Sequence, residues 1–240
     1  MSSDAPAGPI TVVGGAGRTG KLVVERLLQL GTAVRVVSRH ATRARDLARQ
    51  GVALFDADIR TGAGLDAALA DSAGVVFSVE PGTASAGLDR PETTVYQGVV
   101  HVLGAAANAS RFVLVSQIYV TRQDHSMNDM GGLLEWRLRG EDAVRAADIT
   151  HTVVRPSWLT GGGAGRAAVR LEQGDTGDGE VARADVAEAC VQALLLDSAA
   201  NTTFEIYNEK GAPQSTWDSL FTGLARDGVR ERARRTGGTK

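Results

Sequence analysis

The chain has 240 residues, with 26 lysines and arginines against 28 acids and a formal charge of −2. That length supports one sizeable core, and the near balance of charge gives no overall pull toward nucleic acid or an anionic membrane. No apolar run reaches the ~18–20 residues of a membrane span, residues 1–9 lack the regions of a signal peptide, and the lone Cys190 excludes an internal disulfide.

Residues 1–9 are polar and read as a disordered leader. A β-branched strand over 10–13 then enters a glycine-rich turn, Gly14-Gly15-Ala16-Gly17-Arg18-Thr19-Gly20, and an amphipathic helix pattern follows over 21–28. Strand, glycine loop and helix in that order form a phosphate cradle. The glycines permit backbone angles and close approaches that a Cβ forbids, and the helix start offers unpaired N–H groups and a positive dipole end. Two glycine spacings fit, 15/17/20 and 14/17/20. The contacts expected of this turn are Gly14, Gly17, Arg18, Thr19 and Gly20.

The second strand, 32–37, ends in Ser38-Arg39 with no acid at its tip. A free ribose 2′-hydroxyl usually meets a carboxylate there, whereas a 2′-phosphate calls for arginine. Arg39, Arg43 one helical turn later, and Arg18 supply guanidinium groups, which favours NADP(H) over NAD(H). Arg43 and Arg45 also suit a solvated helix face; Arg39 is fixed by the strand end.

Helix and strand patterns then alternate: helix 42–50, strand 52–56, helix 64–69, strand 74–79, helix 93–108, strand 112–116, helix 135–147 and strand 149–156, stopped by Pro156. A further apolar helix over 184–196 takes Cys190 as a small core residue. Strands joined by helices predict right-handed crossovers and a doubly wound parallel sheet, an α/β Rossmann fold with a small C-terminal substrate-binding portion. Ligands on such sheets sit beyond the strands' carboxyl ends. The expected organisation is one domain over 10–225, substrate loops at 119–136 and 157–182, and a basic, disordered tail over 226–240.

Several motifs fall in a family order: the glycine loop, Arg39 and Arg43, Asp58-Ile59 after the third strand, and Tyr96-Gln97-Gly98 in the mid-chain helix. Phe112-Val113-Leu114-Val115-Ser116, Thr152-Val153-Val154-Arg155-Pro156 and Arg183-Ala184-Asp185-Val186-Ala187 complete the series. Over roughly 10–210 the chain resembles the atypical short-chain dehydrogenase/reductases of the NmrA-like, NAD(P)-binding kind, close to small biliverdin-reductase-B-like reductases. The resemblance implies an enzyme that places Asp58 and Ile59 at the adenine and Ser78 and Arg137 among the cofactor contacts; the composition makes a cytoplasmic location the default expectation. It also shows a departure. Arg137 stands where relatives carry lysine, and Leu133 where they carry the proton-donating tyrosine.

Other proton donors near the fifth strand are Ser116, Gln117, Tyr119 and, in the run 121–132, His125. Gln117 suits polarising a carbonyl, Tyr119 offers a hydroxyl that serves as an acid only if its pKa is shifted, and His125 suits shuttling a proton. His40, His101 and His151 read as surface or structural residues, and no cysteine or histidine cluster has metal-ligand spacing. Trp158, Trp136 and Met127 would wall a pocket for a small or planar, polyketide-like metabolite. Asp185 reads as a helix-start carboxylate, and Arg155 as a structural partner of such an acid. The Ala-, Arg- and Gly-rich composition associates with a GC-rich bacterial source, and a polyketide-like substrate would place the chain in secondary metabolism. The expectation is an NADPH-dependent reductase; a redox-neutral cyclase, dehydratase or isomerase, a non-catalytic NADP sensor, and a homodimer stay open.

Overall fold

Four β-branched or apolar residues, Ile10–Val13, form β1 and are all buried, because the strand runs between two parallel neighbours. The structure, a computed structural model, describes residues 8–213 and 216–228, apart from the side chains of Thr42 and Arg43. After β1 come α1 (Arg18–Gln29), β2 (Val34–Ser38), a 3-10 turn (Ala41–Ala44) with α2 (Arg45–Ala48), β3 (Ala53–Asp56), α3 (Leu65–Leu69) and β4 (Gly74–Phe77). A wide π-type turn (Glu92–Gln97) leads into α4 (Gly98–Ala105), then β5 (Arg111–Val115), a 3-10 turn (Ser126–Asp129), α5 (Leu133–Ala146) and β6 (Thr150–Pro156). The remainder is β7 (Trp158–Thr160), β8 (Ala168–Glu172), β9 (Glu180–Ala182), α6 (Arg183–Leu195), β10 (Thr202–Glu209) and α7 (Trp217–Thr222).

The main sheet has eight strands in the order β3-β2-β1-β4-β5-β6-β10-β8. Every neighbouring pair is parallel except β10 with β8. The order reverses between β1 and β4, so the ligand crevice opens beyond their carboxyl ends. Strand alternation divides the core: Val12, Val113 and Val115 pack under α1 and α6, while Val13, Phe112 and Leu114 pack under α3, α4 and α5.

The doubly wound architecture is as expected, with differences in detail. The expected helix 42–50 divides into the 3-10 turn and α2, and the expected helix 93–108 opens as the wide turn. Strands β8 and β10 extend the sheet past β6, and β7 pairs with β9 in a separate parallel ribbon. The ordered body also reaches past the expected boundary at 225. The Asp227 carboxylate accepts the Thr203 hydroxyl proton at 2.9 Å and lies 3.1 Å from His151 Nε2. At the other end Pro9 accepts a bond from Ala73 N–H, so this residue of the expected leader ties the start of β1 to the start of β4. The rest of both expected tails, 1–7 and 229–240, lies outside the described residues.

Candidate functional site

The glycine turn is held by close approaches at Gly14, Gly15 and Gly20. Gly14 has φ +83°, and a Cβ on it would lie 2.2 Å from the Ser78 carbonyl oxygen. A Cβ on Gly20 would lie 2.3 Å from the Gly14 carbonyl oxygen, so α1 seats directly on the loop. Gly17 starts α1 and donates its N–H to Gly14 O at 2.9 Å. A Cβ on Gly15 would lie 2.7 Å from Val36 Cγ2, so both spacings begin on a constrained glycine, and Ser78 N–H bonds to Val13 O across the switch point. Arg18 and Thr19 occupy the first turn of α1, and that turn carries no acid. Such a loop-to-helix start fits a pyrophosphate. Among the described residues Arg18 pairs with Glu80, at 3.9 Å, and both stand in solvent.

Beyond β2 and β3 lies a cleft of about 410 Å³ lined by Arg39, His40, Asp56, Asp58, Arg60 and Gly64 among others. Both acids are engaged by the protein. Asp56 Oδ1 accepts the Ala41 N–H at 2.8 Å, and Arg60 forks onto Asp58 with bonds of 2.6 to 3.1 Å. The Arg60 hydrogen bonds outweigh partial burial and hold the Asp58 carboxyl below the usual carboxylate range. Arg39 faces the cleft and sits 3.4 Å from Asp89 on the loop after β4; Arg60 is 3.5 Å from the same carboxylate. Sequence reasoning missed Arg60, whose role shows only once the turn after β3 folds it back two residues. Ser38 Oγ accepts the His40 N–H and shapes the strand exit. Ile59 is buried, with its carbonyl 2.7 Å from His101 Nδ1. Arg43 lies on the 3-10 turn, its side chain outside the described residues.

At the carboxyl end of β5, Ser116 keeps the sheet pairing through its N–H to Val154 O. Arg137 reaches across from α5 to the Val115 carbonyl at 3.4 Å. Burial outweighs the fields of Glu80 and Glu141 and pushes its guanidinium down to about 10. Gln117 lies alongside, its amide 3.8 Å from the Met127 sulfur. Leu133, at the tyrosine position of the family, is buried and has no proton to give.

Tyr119 is placed differently from a primed acid. It sits at φ 73°, its ring stacked on His125 (centroids 4.8 Å apart) under the Arg122 guanidinium and edge-on to Trp158. Burial, and a hydrogen bond to Asp178, push its hydroxyl above the ordinary phenol value. His125 Nδ1 accepts the Met127 N–H at 3.2 Å and caps the 3-10 turn. Trp158 is half exposed, whereas Trp136 joins another stack, on Tyr96 at 5.7 Å with Arg139 over its face. The expected pocket wall is thus two separate aromatic groups. Among the described residues no group of three or more His, Cys, Asp or Glu is placed to hold a metal. Cys190 is core, its thiol pushed up to about 12 by burial.

A buried ionic chain, unforeseen from the sequence, holds these loops. Arg155 forks onto Glu141 at 3.1 and 2.7 Å and reaches Glu205 at 2.9 Å. Burial disfavours its charge, but the two carboxylates outweigh this and hold the guanidinium above its usual range. Glu205 accepts the Asp175 N–H, and Asp175 in turn takes Tyr119 N–H at 2.6 Å and both donors of Thr121. Asp185 is not Arg155's partner: it accepts from Gly165 N–H and the Asn208 amide.

A family model described as NAD(P)H-binding matches residues 14–197. The chain is 28% identical over 256 positions to an uncharacterized chloroplastic protein of Arabidopsis thaliana, covering 92% of this chain and 78% of that one. It is 30% identical over 140 positions to sanguinarine reductase of Eschscholzia californica, covering 55% and 48% of the two chains. Among solved structures, a Bacillus halodurans protein classed with NAD-dependent epimerases/dehydratases superposes with TM-score 0.74 at 20% identity, over 86% of this chain and 96% of that one. An anaerobillin reductase from Escherichia coli O157:H7 gives 0.71 at 22% identity, over 86% and 100%. These likenesses bear out the Rossmann fold. Among the described residues no helix is long and apolar enough to cross a membrane.

Proposed function

The chain belongs to the NAD(P)H-binding family, and from that premise we propose an NADPH-dependent reductase of a small or planar metabolite that works without a tyrosine–lysine pair. One observation supports the choice of NADPH. At the β2 exit both acids of the cleft are engaged by the protein's own donors, while Arg39 meets only an exposed carboxylate. A 2′-phosphate there would replace Asp89 as the partner of Arg39 and Arg60, with paired charged hydrogen bonds. The glycine turn and the start of α1 would hold the pyrophosphate, and Asp58 and Ile59 would border the adenine.

The bound nicotinamide would supply hydride, and the protein supplies position and exclusion of water. Its own residues at the carboxyl end of β5 are Ser116, Gln117 and Arg137, which present donors rather than a pKa-matched acid. With Tyr119 committed to Asp178 and Leu133 inert, the proton is left to solvent.

Calorimetric titration with NADPH and NADH tests the reading. NADPH is expected to bind at least tenfold tighter, about 1.4 kcal/mol, and Arg39→Ala to remove that preference. Equal affinities in the wild-type protein would overturn the choice of NADPH, and binding of neither would overturn the reductase reading.

A further inference from the structure

We propose that Arg137 and Ser116 form an oxyanion site at the carboxyl end of β5, which selects neutral conjugated acceptors such as quinones and enones. The proposal rests on the reductase reading and names its substrate class.

The first observation is a pair of unpartnered donors. Among the described residues Arg137 Nε and Ser116 Oγ are enclosed and have no hydrogen-bond partner. Buried polar groups are almost always bonded, and a buried cation left without full compensation is costlier still. Arg137 has one long bond, to Val115 O, and the acids whose fields reach it are committed elsewhere. Glu141 holds Arg155 and Arg145, and Glu80 stands in solvent beside Arg18.

The second observation is that the two donors share a place. Phe112 and Leu114 point to the face covered by α4 and α5, and the period of two carries Ser116 to the same face. Arg137 comes from α5 and binds the carbonyl just before Ser116. The unpartnered guanidinium nitrogen and hydroxyl thus lie together at the carboxyl end of β5, the end of the sheet at which ligands of such folds sit.

The chemistry follows from the charge. A quinone that gained a hydride from bound NADPH would become a hydroquinone monoanion and leave NADP⁺; the single proton that completes the hydroquinone would come from solvent. An enone likewise passes through an enolate. Arg137 stabilises either anion as it forms, so no tyrosine is needed. An iminium acceptor starts positive and becomes neutral, so it would meet a repelling guanidinium and gain nothing from it.

The test uses 4-nitrophenol, whose phenolate absorbs visible light and whose phenol does not, with and without NADP⁺. Bound probe is expected to be at least tenfold more ionised than free probe at a pH below its own pKa. Arg137→Met should abolish that shift, Arg137→Lys should keep part of it, and Ser116→Ala should reduce it severalfold. Failure of the probe to bind, or a shift that survives Arg137→Met, overturns the proposal. So does an Arg137→Met variant that loses NADP⁺ binding yet ionises the probe normally, since Arg137 then serves the cofactor. If Arg137→Met does not fold, an unaltered shift in both Arg137→Lys and Ser116→Ala overturns it. Absence of NADP⁺ binding to the wild-type protein defeats the reductase reading separately, because the probe is also read without nucleotide.

Discussion

At the nucleotide end the arginines stand in water: the Arg18 and Arg39 side chains are 70% and 43% exposed, and their partners Glu80 and Asp89 more so. Between β6, α5 and β10 the opposite holds, where Arg155 is 7% exposed between Glu141 at 0% and Glu205 at 1%. The same pair of residue types serves two purposes. An exposed ion pair contributes about 0–1 kcal/mol to folding and leaves its arginine free to change partners. An enclosed pair cannot be broken without stranding a charge, so it fixes loops in place.

The difference is largest at Arg155. Arg155→Met leaves Glu205 without a cation and Glu141 with only Arg145, and should cost about 3–5 kcal/mol in urea denaturation. Adding Glu141→Leu and Glu205→Leu should recover most of that loss, because the stranded charges leave with the pair. A single-variant cost below about 1 kcal/mol would erase the contrast between the two ends.

A smaller effect is expected one link along the chain, at Asp175. Its carboxylate accepts the Tyr119 and Thr121 N–H groups and the Thr121 hydroxyl. Asp175→Ala leaves those donors unmet at a cost of about 2 kcal/mol. It should also speed amide hydrogen exchange at Tyr119 and Thr121 while leaving Gly14–Gly20 protected as before. Unchanged exchange at Tyr119 would mean that the loop is held by its ring contacts with His125, Arg122 and Trp158 instead.

Legibility in the sequence follows the same division. The cradle and Arg39 could be read because their determinants are contiguous: a β-branched strand, glycines at fixed steps, and a strand end. Arg137 was legible only through the family resemblance, which puts it at the lysine position, and its enclosure was not. Residues Thr202–Glu209 escaped notice as a strand because Glu205 breaks the short apolar run of Phe204, Ile206 and Tyr207, and its burial depends on Arg155. Strand β8 carries Arg170 and Glu172 on its half-exposed edge, which reads as surface. Asp175, Glu141 and Glu205 gain meaning from partners 14 to 56 positions away, and spacing cannot show such pairs. Tyr119 was credible as an acid until Asp178 and its own burial were in view.

Between the two extremes lies Asp227, partly enclosed against His151 and Thr203. Burial alone would raise its carboxyl, but the His151 and Thr203 hydrogen bonds outweigh it and hold the carboxyl below the ordinary 3.8. A carboxyl depressed in the folded state stabilises fully above its unfolded value and loses that contribution as pH falls through the folded one. Asp227→Asn should therefore cost on the order of 1 kcal/mol near neutrality. The gap from wild type should narrow as pH drops below 3.8. A gap that stays constant to low pH would place the contribution in shape and amide bonding rather than charge.

Arg39→Ala sets the lower limit of the series. The pair with Asp89 is 3.4 Å long between two exposed side chains, so losing it should move the denaturation midpoint by less than about 0.5 kcal/mol of stability. The same substitution is expected to weaken NADPH binding at least tenfold, whereas Arg155→Met acts first on folding. A destabilisation near that of Arg155→Met would show Arg39 to be part of the framework, and its pairing with Asp89 would then be structural. Loss of NADPH affinity at unchanged stability would show that the arginine at the β2 exit is held in reserve for a ligand phosphate, with Asp89 as its resting partner.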